Sequence, residues 1–442
     1  MLHESLSNSI TRLNPQFFPP SHPKSLAIHK FLSGSCNSPN WVTNSHKKFP
    51  TFQKIQIDCS SRFNLGLCSV GKSVSWECFS LKNGDENGDY DDAYYMRKGL
   101  ELARNAAGCT SPNPMVGCVI VKDGMIVGQG FHPKAGQPHA EVFALRDAGE
   151  LAENATAYVT LEPCNHYGKT PPCSEALIKA KVKKVVVGMV DPNPIVSSRG
   201  IDRLREAGIE VVVGVEEDSC KKLNEAFIHK MLYGKPFVTL RYSISINGVI
   251  AEELGDNVTD CGGYYSKLLQ EYDAVIHSST SVTQEISVLS SREPNARQPL
   301  HIFIAKDHDS LSHILNLPEE GDFKAIVFAD KELPLEPQIS QKGIETVVMD
   351  HISMDPILDY CGKQGFCNVF VDLRGKLDCF NEILKDGLET SSVQKVVVEV
   401  LPLWVNNEVD SSLAKMSLTQ RKRLQNLSTS ISGDSVVLEG YL

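Results

Sequence analysis

Short runs of consecutive β-branched and apolar residues alternate with helical segments along most of this chain. Val116–Val121, Ala157–Leu161, Lys184–Gly188 and Ile209–Val213 read as strands. Their unbroken apolar character marks them as buried. Between them, His139–Ala148, Ser174–Ala180, Gly200–Ala207 and Asp218–Leu232 carry helical spacing. Strand and helix in alternation predict an α/β fold with a largely parallel sheet. The first pair of strands differs: Val116–Val121 and Met125–Gly128 flank Lys122-Asp123-Gly124, a hairpin turn. A helix over Tyr94–Ala103 precedes them, with Gly108 as its stop. Gly234-Lys235-Pro236 then punctuates the chain. Phe237–Leu240, His301–Ala305, Ala325–Phe328, Asn368–Asp372 and Val393–Val400 predict a second α/β domain reaching Leu442.

The 442 residues suit two or three domains. No run approaches the roughly 20 apolar residues of a bilayer span, so a membrane partner is not expected. Formal net charge is −10, unevenly spread. Residues 1–80 hold 8 Lys/Arg, 3 Asp/Glu and 15 Ser, leaving 36 basic and 51 acidic residues in 81–442. An acidic body argues against phosphate-backbone binding, so nucleic acid is not expected as a partner. The basic, Ser-rich, acid-poor 1–80 has the composition of a disordered chloroplast-type transit peptide and no apolar core of a secretory signal. Residues 81–91 read as an acidic, Gly/Asn-rich linker. The 13 cysteines form no regular disulfide framework. In a reducing compartment, paired cysteines point first to metal or catalysis.

One constellation carries chemistry. His139-Ala140-Glu141 is followed, 25 residues after the His, by Cys164 in Pro163-Cys164, and nine residues later by Cys173. One imidazole and two thiolates form a ligand set suited to Zn²⁺. Three protein ligands leave one tetrahedral position for water, the mark of a catalytic zinc. Zinc lowers the pKa of such a water towards about 7. Glu141 is placed to take its proton and pass it to a substrate nitrogen. H-x-E with P-C and a second Cys is the signature of zinc deaminases. A structural zinc site is the competing reading, and the open coordination position disfavours it. Nucleic-acid and simple cytidine deaminases space the two cysteines C-x-x-C. Here eight residues intervene, Asn165–Pro172, and His166 and Lys169 among them can donate to a phosphate monoester. Gly168-Lys169-Thr170 is not a phosphate-binding loop of the P-loop type, since Pro163 stands where its first glycine is required.

The chain resembles the deaminases of riboflavin biosynthesis, including the bacterial bifunctional deaminase/reductase and its plant monofunctional relatives. The segments that carry the resemblance are Tyr94-Tyr95-Met96, Pro112–Gly124, Pro138–Val142, Tyr158–Cys164, His166–Cys173 and Asp191–Pro194. The resemblance implies a three-layer α/β/α cytidine-deaminase-like zinc domain over 92–235, followed by a degenerate dihydrofolate-reductase-like α/β domain over 236–442. It implies zinc on His139, Cys164 and Cys173, with Glu141 as proton shuttle. Substrate contacts are implied from Asn113, His132, His166 and Lys169. Asn165 departs from the family's usual Ser or Thr. The implied reaction is hydrolytic loss of ammonia from 2,5-diamino-6-ribosylamino-4(3H)-pyrimidinone 5′-phosphate, in the plastid. Its product is 5-amino-6-ribosylaminouracil 5′-phosphate. A second copy of the chain is a candidate partner in a homodimer.

In the bifunctional family the second domain is an NADPH-dependent reductase, and here its motifs are altered. Arg241 stands for the family's Lys and Asn247 for its Asp, although Ser245 and Gly248 match. The Gly-x-Gly-Thr-Val segment becomes Ser278–Glu285, the Glu-Gly-Gly turn becomes Asp372-Leu373-Arg374, and the Ser-x-Trp-Ile-Thr-Ser segment is unrecognisable near Asn257–Asp260. Glycines let backbone N–H groups approach a dinucleotide phosphate, so their loss predicts a domain that keeps the fold without binding NADPH. The alternatives are a bifunctional deaminase/reductase, a nucleic-acid-editing deaminase, and a catalytically dead zinc protein.

Overall fold

α1 (Asp92–Arg104) is the first described element, its N-terminus capped by the Asp91 side chain accepting from Tyr94 N. Tyr95, Met96, Leu100 and Ala103 recur at helical spacing and are all buried. β1 (Gly117–Lys122) and β2 (Met125–Phe131) follow as an antiparallel hairpin. Asp123 and Gly124 turn it with φ of 50° and 74°, the left-handed pair that Asp-Gly tolerates best. Then come α2 (Ala140–Ala148), β3 (Thr156–Leu161), α3 (Cys173–Lys179), β4 (Lys184–Met189), α4 (Arg199–Glu206) and β5 (Glu210–Val213). The first sheet has the order β2-β1-β3-β4-β5, parallel from β3 to β5 and antiparallel before that. Consecutive residues of β1, β3 and β4 are buried, so both faces of the sheet are covered and the layers number three.

This computed structural model describes residues 91–166, 171–194, 197–278, 290–305, 324–332, 344–374, 380–405 and 418–442. The leader, nearly all of the linker, Lys169 and most of Ser278–Glu285 lie outside the described residues. All described residues belong to one unit, Phe79–Leu442.

The helix expected over Asp218–Leu232 is two helices, α5 (Glu217–Leu223) and α6 (Glu225–Tyr233). Asn224 breaks it at φ −114°, ψ 22°. Its buried amide accepts from Met115 N at 2.8 Å and donates to Met115 O at 2.9 Å. That tertiary pair replaces the local helical bonds, a competition periodicity does not reveal.

Gly234 closes α6 in the left-handed region at φ 73°. β6 (Phe237–Ser245) then enters a second sheet with β7 (Ile250–Ala251), β8 (Ala274–Ser278), β9 (Leu300–Ala305), β10 (Ala325–Ala329), β11 (Glu345–Val348), β12 (Asn368–Leu373), β13 (Lys395–Leu401), β14 (Gln425–Ser432) and β15 (Ser435–Tyr441). The order is β11-β10-β9-β8-β12-β6-β13-β15-β14, with β7 on β6. The run from β11 to β13 is parallel, and β15 and β14 close the edge antiparallel. α7 (Tyr264–Glu271), α8 (Met354–Lys363) and α9 (Asn381–Glu389) each bury an apolar face; Met354, Ile357, Leu358, Ile383 and Leu384 join Val238, Ile276, Ile302 and Val371 in one core.

Candidate active site

The ligand candidates meet at the carboxyl end of β3, beside the N-termini of α2 and α3. His139 is the N-cap of α2, Glu141 lies in its first turn, and Cys173 is the first residue of α3. Cys164 lies three residues beyond the end of β3. α2 is held close by the small residues beneath it. A Cβ on Gly130 would stand 2.6 Å from Ala144 N and 2.7 Å from Ala140 O, so only glycine lets the helix lie on β2 there.

His139 Nδ1 lies 3.5 Å from Cys164 Sγ and 3.4 Å from Cys173 Sγ. With Zn–N near 2.0 Å and Zn–S near 2.3 Å, a tetrahedral site requires an N···S edge of about 3.5 Å. The three donor atoms all lie within 4.8 Å of one another and form the one such group among the described residues. Cys173 N donates to Cys164 Sγ at 3.4 Å. The Cys164 thiol is pulled down to about 4, first by a hydrogen bond from Cys173 and then by His139. Cys173 is pushed up as the proton-bearing partner. Two thiols and an imidazole converging at this spacing form the soft-to-borderline donor set that Zn²⁺ selects.

Glu141 is 3% exposed, and its Oε2 has no hydrogen-bond partner. A buried carboxylate oxygen left open beside the ligand set is unusual and awaits a partner that is not a protein group. Burial pushes its carboxyl up to about 7, and the Cys164 thiolate adds to the shift. Such a group exchanges protons near neutrality.

His132 Nδ1 is 3.1 Å from Pro138 O. A carbonyl only accepts, so His132 carries its proton on Nδ1. Burial lowers its pKa and favours the neutral ring. Its Nε2 therefore accepts from Asn113 Nδ2, 3.2 Å away. That bond orients the amide and turns Asn113 Oδ1 into the remaining acceptor. A cavity of about 470 Å³ gathers Asn113, His132, His139, Glu141, Cys164 and His166; Cys173 is buried behind it. His166 is exposed at the mouth. Asn165 bridges the ligand loop, accepting from Ser174 Oγ at 2.9 Å and donating to Arg199 O at 3.2 Å.

Sequence reasoning assigned no site role to Phe227, Met231, Asp191 or Asn193, which also line the cavity. Phe227 and Met231 come from α6, far along the chain, and carry no motif. Asp191 and Asn193 stand in a motif that the resemblance included. The structural reason for it is Glu162, whose buried carboxylate accepts from Asp191 N at 3.2 Å, Ser198 N at 2.9 Å and Gly200 N at 2.9 Å. It therefore fixes that loop over the cavity.

Residues 89–189 match the cytidine and deoxycytidylate deaminase zinc-binding region. The chain is 58% identical over 362 residues to riboflavin biosynthesis protein PYRD, chloroplastic, of Arabidopsis thaliana, covering 81% of this chain and 84% of that protein. It is 56% identical to the Zea mays protein of the same name, covering 80% and 89%. This chain belongs to the riboflavin-biosynthesis deaminase family. The crystal structure of a Thermotoga maritima diaminohydroxyphosphoribosylaminopyrimidine deaminase/5-amino-6-(5-phosphoribosylamino)uracil reductase matches at a TM-score of 0.68 and 29% identity, over 79% of this chain and 98% of that one. The fold is thus that of a riboflavin-biosynthesis deaminase with a reductase-like second domain, and the cofactor is Zn²⁺.

In the second domain of this riboflavin-biosynthesis deaminase, Arg241 is fully buried. Its guanidinium pairs with Glu399 and lies 3.4 Å from Asp372, while donating to Ser243 Oγ at 2.6 Å and Tyr264 OH at 2.9 Å. Arg374 Nε donates to Asp372 at 2.7 Å. The residues that replace the reductase motifs at these positions are therefore paired with one another inside the protein.

Proposed function

We propose that His139, Cys164 and Cys173 hold the zinc, that Glu141 moves the proton, and that Asn113, His132, His166 and Lys169 bind the substrate. The enzyme hydrolyses the diaminopyrimidine ribosyl phosphate to the ribosylaminouracil phosphate and ammonia. The bound Zn²⁺ supplies Lewis acidity that makes water a nucleophile at neutral pH. Glu141 Oε2 receives the proton that water loses and hands it to the ring nitrogen next to the reacting carbon. Glu141 Oε2 then takes the second proton from the hydroxyl added to the ring carbon and passes it to the exocyclic nitrogen, which departs as ammonia, so that carbon gains a carbonyl oxygen as its C–N bond breaks. Asn113 Oδ1 accepts from an N–H of the pyrimidine. Neutral His132 keeps that amide turned the right way. Phe227 and Met231 form the apolar wall against the base, and His166 with Lys169 meets the phosphate. The observation that carries this reading is the open Glu141 Oε2 next to a zinc-edge triangle.

The partner is a small molecule, the acidic body disfavours nucleic acid, and a homodimer is the proposed assembly. The plant relatives are named chloroplastic, and the composition of 1–80 supports the same plastid location for this enzyme. Residues 92–235 form the deaminase domain and 236–442 the reductase-like domain. The self-paired Arg241 and Asp372 support loss of NADPH binding in the latter, and saturable NADPH binding to the full chain would refute that part.

Glu141→Gln tests the mechanism. Zinc content stays at the wild-type stoichiometry while ammonia release falls by a factor of about 10² or more. Unchanged turnover removes Glu141 from the role of proton carrier.

A further inference from the structure

The reductase-like domain holds, at two places, segments that line the deaminase pocket. Ser111 Oγ donates to Asp273 Oδ2 at 2.7 Å. Asp273 precedes β8 and is 4% exposed, and the same oxygen accepts from Cys367 N at 2.7 Å. Gln270 Nε2 donates to Ala107 O at 3.2 Å, and Cys367 Sγ lies 3.6 Å from Pro112 O. The segment 107–115 that carries Asn113 is thus held from outside its own sheet. Its further anchors are Asn224 on Met115 and His132 on Asn113. At the second place, Tyr441 OH donates to Glu225 Oε2 at 2.7 Å and Lys230 Nζ donates to Gly362 O at 2.8 Å. Glu225 and Lys230 belong to α6, the helix that presents Phe227 and Met231 to the cavity.

The other half of the site has different supports. His139 and Glu141 sit on α2, and Cys164 follows β3; their described hydrogen bonds stay within the first sheet and its helices. Metal and proton transfer are therefore built by one domain, and the wall facing the pyrimidine is braced by the other.

We infer that the reductase-like domain is a positioning element of the deaminase: Asp273 through Ser111, and Tyr441 through Glu225, set the substrate wall of the pocket. The inference rests on the deaminase reading above and deepens it. It gives a domain without cofactor binding a present use. Small displacements of a binding group cost substantial affinity or rate, and here the displaced group is Asn113, two residues from Ser111. The loss falls on binding, since Glu141 and the ligands are untouched.

The experiment uses the full chain loaded with zinc. Ser111→Ala raises KM for the diaminopyrimidine ribosyl phosphate about fivefold, through the looser placement of Asn113, with kcat within about twofold. Ser111→Thr, which keeps the hydroxyl, restores KM. Tyr441→Phe raises KM in the same direction from the far side. Zinc stoichiometry stays at the wild-type value in each. Amide exchange across 108–115 speeds up in Ser111→Ala. Wild-type KM in both Ser111→Ala and Tyr441→Phe overturns the inference, as does a fall in kcat with KM unchanged. If the wild-type chain turns over none of this substrate, the functional reading fails separately. Amide exchange then decides, and unchanged exchange in Ser111→Ala overturns the positioning role.

Discussion

Replacing Arg241 with Met should strongly destabilise the second domain. Arg241, Glu399 and Asp372 all have side chains at 0% exposure. Removing the cation leaves the two carboxylates unequally placed. Asp372 keeps Arg374 at 2.7 Å and Tyr265 OH at 2.7 Å. Glu399 keeps donors at Gly255 N, Ser435 Oγ, Ser243 Oγ and Tyr264 OH but has no other cation within salt-bridge distance among the described residues. Breaking a buried pair by deleting one partner costs about 3–5 kcal/mol. One carboxylate rather than two is stranded, so the lower end applies, about 3 kcal/mol. In a domain of this size that is a fall in Tm of roughly 6–12 °C. Urea unfolding followed by circular dichroism reads it as a lower midpoint at unchanged slope. Adding Glu399→Gln to Arg241→Met should recover part of the loss, because the stranded charge is then gone. A single Arg241→Met variant within about 0.5 kcal/mol of wild type would refute the argument, showing that Glu399 carries no charge there or that water reaches it.

Two further outcomes follow from the same buried geometry. His277 and His301 are buried in the second domain with His277 Nε2 3.1 Å from His301 Nδ1, and burial lowers His301 to about 4. The unfolded chain binds this proton below about pH 6.5 and the fold refuses it. Stability is therefore whole above pH 6.5 and falls as pH drops towards 4, by about 3 kcal/mol from His301; an equally steep acid limb in His301→Asn would contradict this. Gly130→Ala puts a Cβ against the α2 backbone, so the helix must shift; we expect a stability loss of about 1–3 kcal/mol and at least a tenfold fall in turnover. Full activity in that variant would mean α2 is not held by contact with β2.

The zinc triangle was legible because its residue types are rare together and their chemistry admits few readings. His139, Glu141, Cys164 and Cys173 needed only their spacing to suggest one point of convergence. The strands were legible for a similar reason: Val185-Val186-Val187 or Val119-Ile120-Val121 can satisfy their apolar side chains only inside a covered sheet. The Asp123-Gly124 turn was legible because few dipeptides accept two left-handed residues. The break at Asn224 was not, since an asparagine within an apolar periodicity looks like a surface residue until Met115 is seen beside it.

The sequence alone determined most of the elements, the metal chemistry and the changed reductase motifs, since each depends on local residue identity. Tertiary structure alone decided that Phe227 and Met231 wall the pocket, that His132 orients Asn113, and that Asp273 and Tyr441 brace the substrate side. Those pairings join residues tens to hundreds of positions apart, and nothing in a residue's own neighbourhood along the chain encodes which distant group it will meet.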